Sequence, residues 1–202
     1  INKIPKLEID NDIIIHDLVE GHRNQTLAII HYEKLISLEP EKIPLENLND
    51  ILSKKIIVGL KKYGFSGLLP FQEESIRSIL KGNNSIISAP TGSGKTEAFI
   101  IPILQKILEN PIEGVFVLLV YPLNALIDDQ VSKISELIEK CQLNNIISTY
   151  SIHGGQSSQY KDKIITESYK KSIILATNFD FINYHLILQD KKWNQLFKNA
   201  KI

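Results

Sequence analysis

The chain has 202 residues, room for one domain with an extension. Its 23 Lys+Arg balance 23 Asp+Glu, which excludes a partner held by bulk charge, such as a basic coat on nucleic acid or a polybasic membrane patch. Hydrophobic residues at 43% and charged residues at 23% are ordinary for a globular protein, and no apolar run reaches the roughly 18 residues of a membrane helix.

Cys141 is the only cysteine, so neither an intrachain disulfide nor a cysteine-cluster metal site can form. A lone cysteine fits a reducing, cytoplasmic compartment. The chain has no Met and begins at Ile1, which reads as a fragment of something longer.

In chain order, residues 1–45 read as an N-terminal accessory segment. Asp12–His16 has the character of a short strand, and Thr26–Leu38 carries helical spacing at Leu27, Ile30, Leu35 and Leu38. Glu39–Pro44 reads as a break. Residues 46–202 read as the main domain. A helix is expected over Leu45–Tyr63, from Leu48, Ile51, Leu52, Ile56 and Leu60, with Gly64 as its stop. A second is expected over Gln72–Leu80.

From Ser85 the pattern alternates. Strands are expected at Ser85–Ala89, Gly114–Tyr121, Ile146–Ile152 and Ser172–Ala176. Helices are expected at Lys95–Leu108, Asn124–Cys141, Ser157–Lys170 and Phe179–Leu188. Such alternation predicts an α/β fold with a parallel sheet and helices on both faces. Ligands of these sheets sit at the carboxyl ends of the strands.

Ala89-Pro90-Thr91-Gly92-Ser93-Gly94-Lys95-Thr96 is a P-loop with Ala in place of the first Gly. Gly92 and Gly94 let the backbone turn tightly and aim N–H groups at phosphate oxygens. The following helix presents its positive end to the same anion. Lys95 reaches the β- and γ-phosphates, and the Thr96 hydroxyl is a Mg²⁺ ligand.

The run Ala-Pro-Thr-Gly-Ser-Gly-Lys-Thr-Glu-Ala-Phe over 89–99 resembles motif I of the superfamily 2 helicases of the DEAD/DEAH-box type. That resemblance implies a RecA-like P-loop NTPase domain using ATP and Mg²⁺. It assigns the nucleotide to Pro90, Thr91, Gly92, Ser93, Gly94, Lys95, Thr96 and Glu97, with Lys95 and Thr96 catalytic. The family reads adenine with an upstream glutamine; Gln72, 23 residues before Lys95, stands in that place. Its amide can offer a donor and an acceptor. Lys55 stands where the family often carries an aromatic.

Tyr121–Gln130 resembles motif Ia as seen in large DNA helicases of the Lhr and YprA-like groups. It assigns Pro122, Leu123 and Asn124 to the nucleic-acid backbone, through N–H groups at a strand end and helix start. Asp128 and Asp129 complement that helix N-terminus. His153-Gly154-Gly155 resembles the glycine motif whose Gly154 and Gly155 approach the strand backbone. Ile174–Asp180 resembles the Thr-Asn-Pro motif with Phe179 in place of Pro; Thr177 is expected as helix cap and phosphate donor, beside Asn178.

The resemblance also implies a missing part. Trp193, Leu196 and Ala200–Ile202 fit the approach to the strand that ends in Asp-Glu, so the chain is expected to stop short of those carboxylates. The expected partners are single-stranded or unwinding nucleic acid, DNA favoured, and a second RecA-like domain of the same full-length chain, with no membrane. Two alternatives stay open: a non-catalytic ATP-gated binding or scaffold module, and a P-loop phosphotransferase. The latter usually carries lid arginines after the P-loop, whereas Arg23 and Arg77 both precede it.

Overall fold

The computed structural model describes residues 41–154 and 156–187. They belong to the compact unit Pro40–Ile202. The elements expected at Asp12–His16 and Thr26–Leu38, together with Gly155 and the stretch around Trp193, lie outside the described residues.

The body opens with β1 (Ile43–Pro44), paired antiparallel with β2 (Gly67–Leu68). Leu45 is buried in the main core, so this body includes residues that the sequence reading placed in the N-terminal segment. The helix expected over Leu45–Tyr63 is two pieces: a 3-10 turn, Leu45–Leu48, and α1, Lys54–Tyr63. The break has a local cause. The Ser53 N–H donates to the Gln105 side-chain oxygen at 2.8 Å, not to a helical carbonyl, and the Ser53 hydroxyl caps Ile56 N–H at 3.3 Å. Gly64, at φ 111°, ends α1 as expected.

Next come α2 (Pro70–Leu80), α3 (Lys95–Glu109), β3 (Gly114–Val120), α4 (Asn124–Lys140), β4 (Ile147–Ile152), α5 (Ser158–Ser168) and β5 (Ser172–Thr177). The chain then makes the short α6 (Phe179–Phe181) and a π-helical turn, Ile182–Ile187, where one helix was expected. The sheet order is β3-β5-β4 and both pairings are parallel. The registers Val120↔Thr177 and Ile152↔Thr177 bring all three strand ends to one rim. Every residue of β5 is buried, as befits a central strand covered on both faces.

Ser85–Ala89 is not a strand. Ile86 is fully exposed and the segment has no sheet partner among the described residues. An apolar run becomes a strand only when a neighbour takes its N–H and C=O groups. A groove of about 650 Å³, lined by Ile87, Phe99, Ile103 and Phe116–Leu119, separates it from β3. Among the described residues no helix is long and apolar enough to cross a membrane.

The main core gathers α1, α3 and α4 on one face of the sheet. Gly59 of α1 lies against Cys141, where an added Cβ would sit 2.2 Å from the Sγ and 2.7 Å from the Cα. Helix propensity favours Ala over Gly by about 1 kcal/mol. Overpacking against a backbone atom that cannot rotate away costs about 1–3 kcal/mol and wins. Gly59→Ala is therefore expected to lower the urea midpoint; an unchanged or raised midpoint would show that α1 shifts freely. Burial also pushes the Cys141 thiol up to about 11, so it stays protonated and is a packing residue.

Candidate nucleotide and nucleic-acid sites

The loop before α3 is closed by its own side chains. The Ser93 hydroxyl donates to the Pro90 carbonyl at 2.7 Å. Gly92 (φ 78°) and Gly94 (φ 83°) both take the left-handed conformation that favours glycine. Gly94 is the N-cap position of α3, so the unpaired N–H groups of the first turn open onto the loop. Pro90, Thr91 and Gly92 are exposed, and Ser93 through Glu97 are half-buried. The Lys95 ammonium donates to the carbonyls of Ala89 (2.6 Å) and Pro90 (2.7 Å), which places the cation at the loop.

These donors suit a polyphosphate: two αL glycines, a helix N-terminus and a lysine. The metal side is sparser. No cluster of three His, Cys, Asp or Glu occurs among the described residues. A Mg²⁺ ion held mainly through nucleotide phosphates and water, with Thr96 as the chain's ligand, fits this donor set.

Gln72 is only 3% exposed. Its side-chain oxygen accepts from Leu69 N–H at 2.8 Å, and its Nε2 donates to the Gly94 carbonyl at 2.8 Å. The amide expected to face adenine is thus turned inward, tying the start of α2 to the P-loop. Thr96 and Gln130 form a contact that the motif reading did not assign: Thr96 Oγ1 donates to Gln130 Oε1 at 2.9 Å. Nothing local signals a bond across 34 positions, although both residues fall inside quoted motifs.

The rim carries the other motifs. Pro122 and Leu123, between β3 and α4, and Asn124, the first residue of α4, are exposed. Asn178 is half-buried, and its Nδ2 donates to Asn124 Oδ1 at 2.8 Å, so these two stretches are brought together. Gly154 is exposed at the end of β4; Gly155 lies outside the described residues. Thr177 needs correction. Its side chain is fully buried and its hydroxyl donates to the Ile152 carbonyl at 2.6 Å, which joins β5 to β4. It is not the helix cap, and its hydroxyl is engaged by the neighbouring strand. Asn178 caps instead, accepting Phe181 N–H at 2.8 Å.

Asp128 lies 3.7 Å from His153 Nε2, and Asp129 pairs with Lys133 at 2.7 Å. Arg77 is held by Asp50 at 2.7 Å and by Glu73, which raise its pKa further. Burial drives the Tyr121 phenol up to about 12, so it stays neutral at the start of the rim.

Residues 69–202 match the DEAD/DEAH box helicase family. The chain is 27% identical over 164 residues to the uncharacterized ATP-dependent helicase YprA of Bacillus subtilis, covering 81% of this chain and 21% of that protein. It is 29% identical over 171 residues to the ATP-dependent RNA helicase ROK1 of Kluyveromyces lactis, covering 81% and 29%. Among solved structures, the DUF1998 helicase MrfA bound to DNA superposes with a TM-score of 0.73 at 25% identity, covering 93% of this chain and 25% of that one. The chain thus spans under a third of the length of these relatives. With a parallel α/β sheet, a P-loop at the start of α3 and a match across two-thirds of its length, the chain belongs to the DEAD/DEAH box helicase family.

Proposed function

We propose that this chain is the first RecA-like, ATP-binding domain of a helicase or translocase that runs on nucleic acid, DNA in preference to RNA. The observation that carries the reading is one helix serving two sites. α4 starts at the exposed Asn124 on the rim and bonds the P-loop Thr96 through Gln130. Nucleotide and strand therefore share a rigid element. Pro122–Asn124, Gly154 and Asn178 offer polar and backbone groups to phosphates, contacts that ignore base identity. A few such contacts suffice for a strand held at one short stretch, so the balanced net charge is no obstacle.

On the nucleotide side, the P-loop N–H groups orient the phosphates and Lys95 neutralises charge on the β- and γ-oxygens. Thr96 would hold a Mg²⁺ ion, which would supply further charge neutralisation at the phosphates. Arg77, the one arginine among the described residues, is committed to Asp50 and Glu73. That supports a second RecA-like domain as the source of the remaining cations.

DNA is favoured by the YprA-like form of Tyr121–Gln130 and by the likeness to MrfA, whose structure was solved with DNA. The test is ATP turnover by the full-length protein with single-stranded DNA or RNA of equal length. Stronger stimulation by DNA is expected. Stimulation by RNA alone would replace DNA as the track. Nucleotide binding with no stimulation by either would favour the non-catalytic ATP-gated module.

A further inference from the structure

We propose that Gln130 is a positioning residue that orients the Thr96 hydroxyl for Mg²⁺ and couples metal-nucleotide affinity to the nucleic-acid rim; the inference rests on the function proposed above. A threonine hydroxyl has one proton and two lone pairs. When its oxygen binds a metal, the proton still needs an acceptor. Here the acceptor is Gln130 Oε1, 2.9 Å away on another helix. With the proton directed there, the lone pairs turn away from Gln130. An uncharged acceptor fixes the rotor without adding a competing anion.

The amide orientation is itself set. Gln130 Nε2 donates to Asp129 Oδ2 at 3.2 Å, and a carboxylate can only accept. Asp129 is in turn pinned by Lys133 at 2.7 Å, one helical turn on. Were the amide reversed, NH₂ would face the hydroxyl and the oxygen would face a carboxylate. So Asp129, whose position alone suggested only a helix-end charge, holds the Gln130 oxygen towards Thr96.

The same helix reaches the rim. Asn124, six positions before Gln130, accepts from Asn178 at 2.8 Å. Six residues of helix span about 9 Å, and buried Ile127 anchors the segment between them. A strand that shifts Asn124 and Asn178 therefore shifts Gln130 with them. Linkage then works both ways: a nucleotide that fixes Thr96 favours the rim position that binds the strand.

The experiment measures equilibrium binding of a fluorescent, non-hydrolysable ATP analogue to the full-length protein, in Mg²⁺ and in EDTA, with and without a single-stranded DNA oligonucleotide. Gln130→Leu should weaken binding about tenfold in Mg²⁺, the usual scale for losing an outer partner of a metal ligand. It should leave binding in EDTA unchanged and remove the DNA-dependent increase. Asp129→Ala, at an exposed position, should give a smaller loss in the same Mg²⁺ arm, and it guards against a Gln130 variant that fails to fold. Equal losses in both metal arms, or wild-type binding by both variants, would overturn the role. A wild-type protein with no Mg²⁺-dependent analogue binding would instead overturn the nucleotide site itself. Lys95→Ala separates the two readings, since it should weaken binding in Mg²⁺ and EDTA alike.

Discussion

Lys95→Ala in the full-length protein is expected to lower nucleic-acid-stimulated ATP turnover by two to three orders of magnitude, about what is lost when one preorganised donor at a developing charge is removed. Coulomb arithmetic gives the same scale. A unit charge about 4 Å from a phosphate oxygen is worth about 4 kcal/mol at an effective dielectric of 20, and each 1.36 kcal/mol is about tenfold in rate. Two of the three ammonium protons go to the Ala89 and Pro90 carbonyls, which aims the group and leaves a donor over. Those carbonyls border an exposed loop, so water replaces the lost bonds and the fold should tolerate the change. The thermal midpoint is the control, with a shift equivalent to less than about 1 kcal/mol expected. Lys95→Arg retains the charge but presents a planar fork where a compact ammonium fits. It should recover only part of the rate. Turnover unchanged in Lys95→Ala would remove the nucleotide site from this loop.

The nucleotide loop is legible in the sequence for a physical reason. A P-loop is local: its glycines, its lysine and its helix start lie within a few residues, and each is required by its own backbone conformation or charge. Gly92 and Gly94 do take the positive φ that the pattern demands. Strands β3, β4 and β5 were equally readable, because runs such as Gly114–Val120 suit burial on both faces. The failures are all non-local. Ser85–Ala89 has a strand's composition, but a strand also needs a partner, and composition cannot supply one. Leu45–Tyr63 has continuous helical spacing, but Gln105, far along the chain, takes the Ser53 N–H and interrupts it. Thr177 lies just past the run expected as a strand, which suggests a cap; it is instead the last residue of β5, and its hydroxyl bonds the neighbouring strand. Gln130 went unassigned for the same reason in reverse. Its partner lies 34 residues back, and only the tertiary fold brings the two side chains together.

Gly94→Ala should be the most damaging single-methyl change in the loop, and comparison with Gly92→Ala isolates the reason. Both positions have positive φ, 83° and 78°. A left-handed conformation costs a non-glycine residue roughly 1–2 kcal/mol, so each substitution should weaken nucleotide binding by about tenfold if the loop must hold this shape, at 1.4 kcal/mol per decade. At Gly92 nothing lies within 4 Å of the added Cβ, so strain is the whole effect. At Gly94 the Cβ would lie 2.3 Å from Gln72 Nε2 and 3.2 Å from Glu97 Oε2. Glu97 can swing away. Gln72 cannot do so without releasing both Leu69 N–H and the Gly94 carbonyl, bonds worth about 1 kcal/mol each. Gly94→Ala should therefore weaken binding by a further tenfold or more beyond Gly92→Ala. Gln72→Ala removes the obstructing amide at the cost of those two bonds. Once Gln72 is gone, adding Gly94→Ala should cost no more than Gly92→Ala does. The double-variant cycle should show favourable coupling of about 1–2 kcal/mol, within the range for contacting residues. Additive losses would mean that Gln72 gives way freely and that its inward bonds do not shape the loop. In that case the amide is mobile enough to turn outward, and the adenine contact suggested by its place in the sequence becomes the better account of why a glutamine stands there.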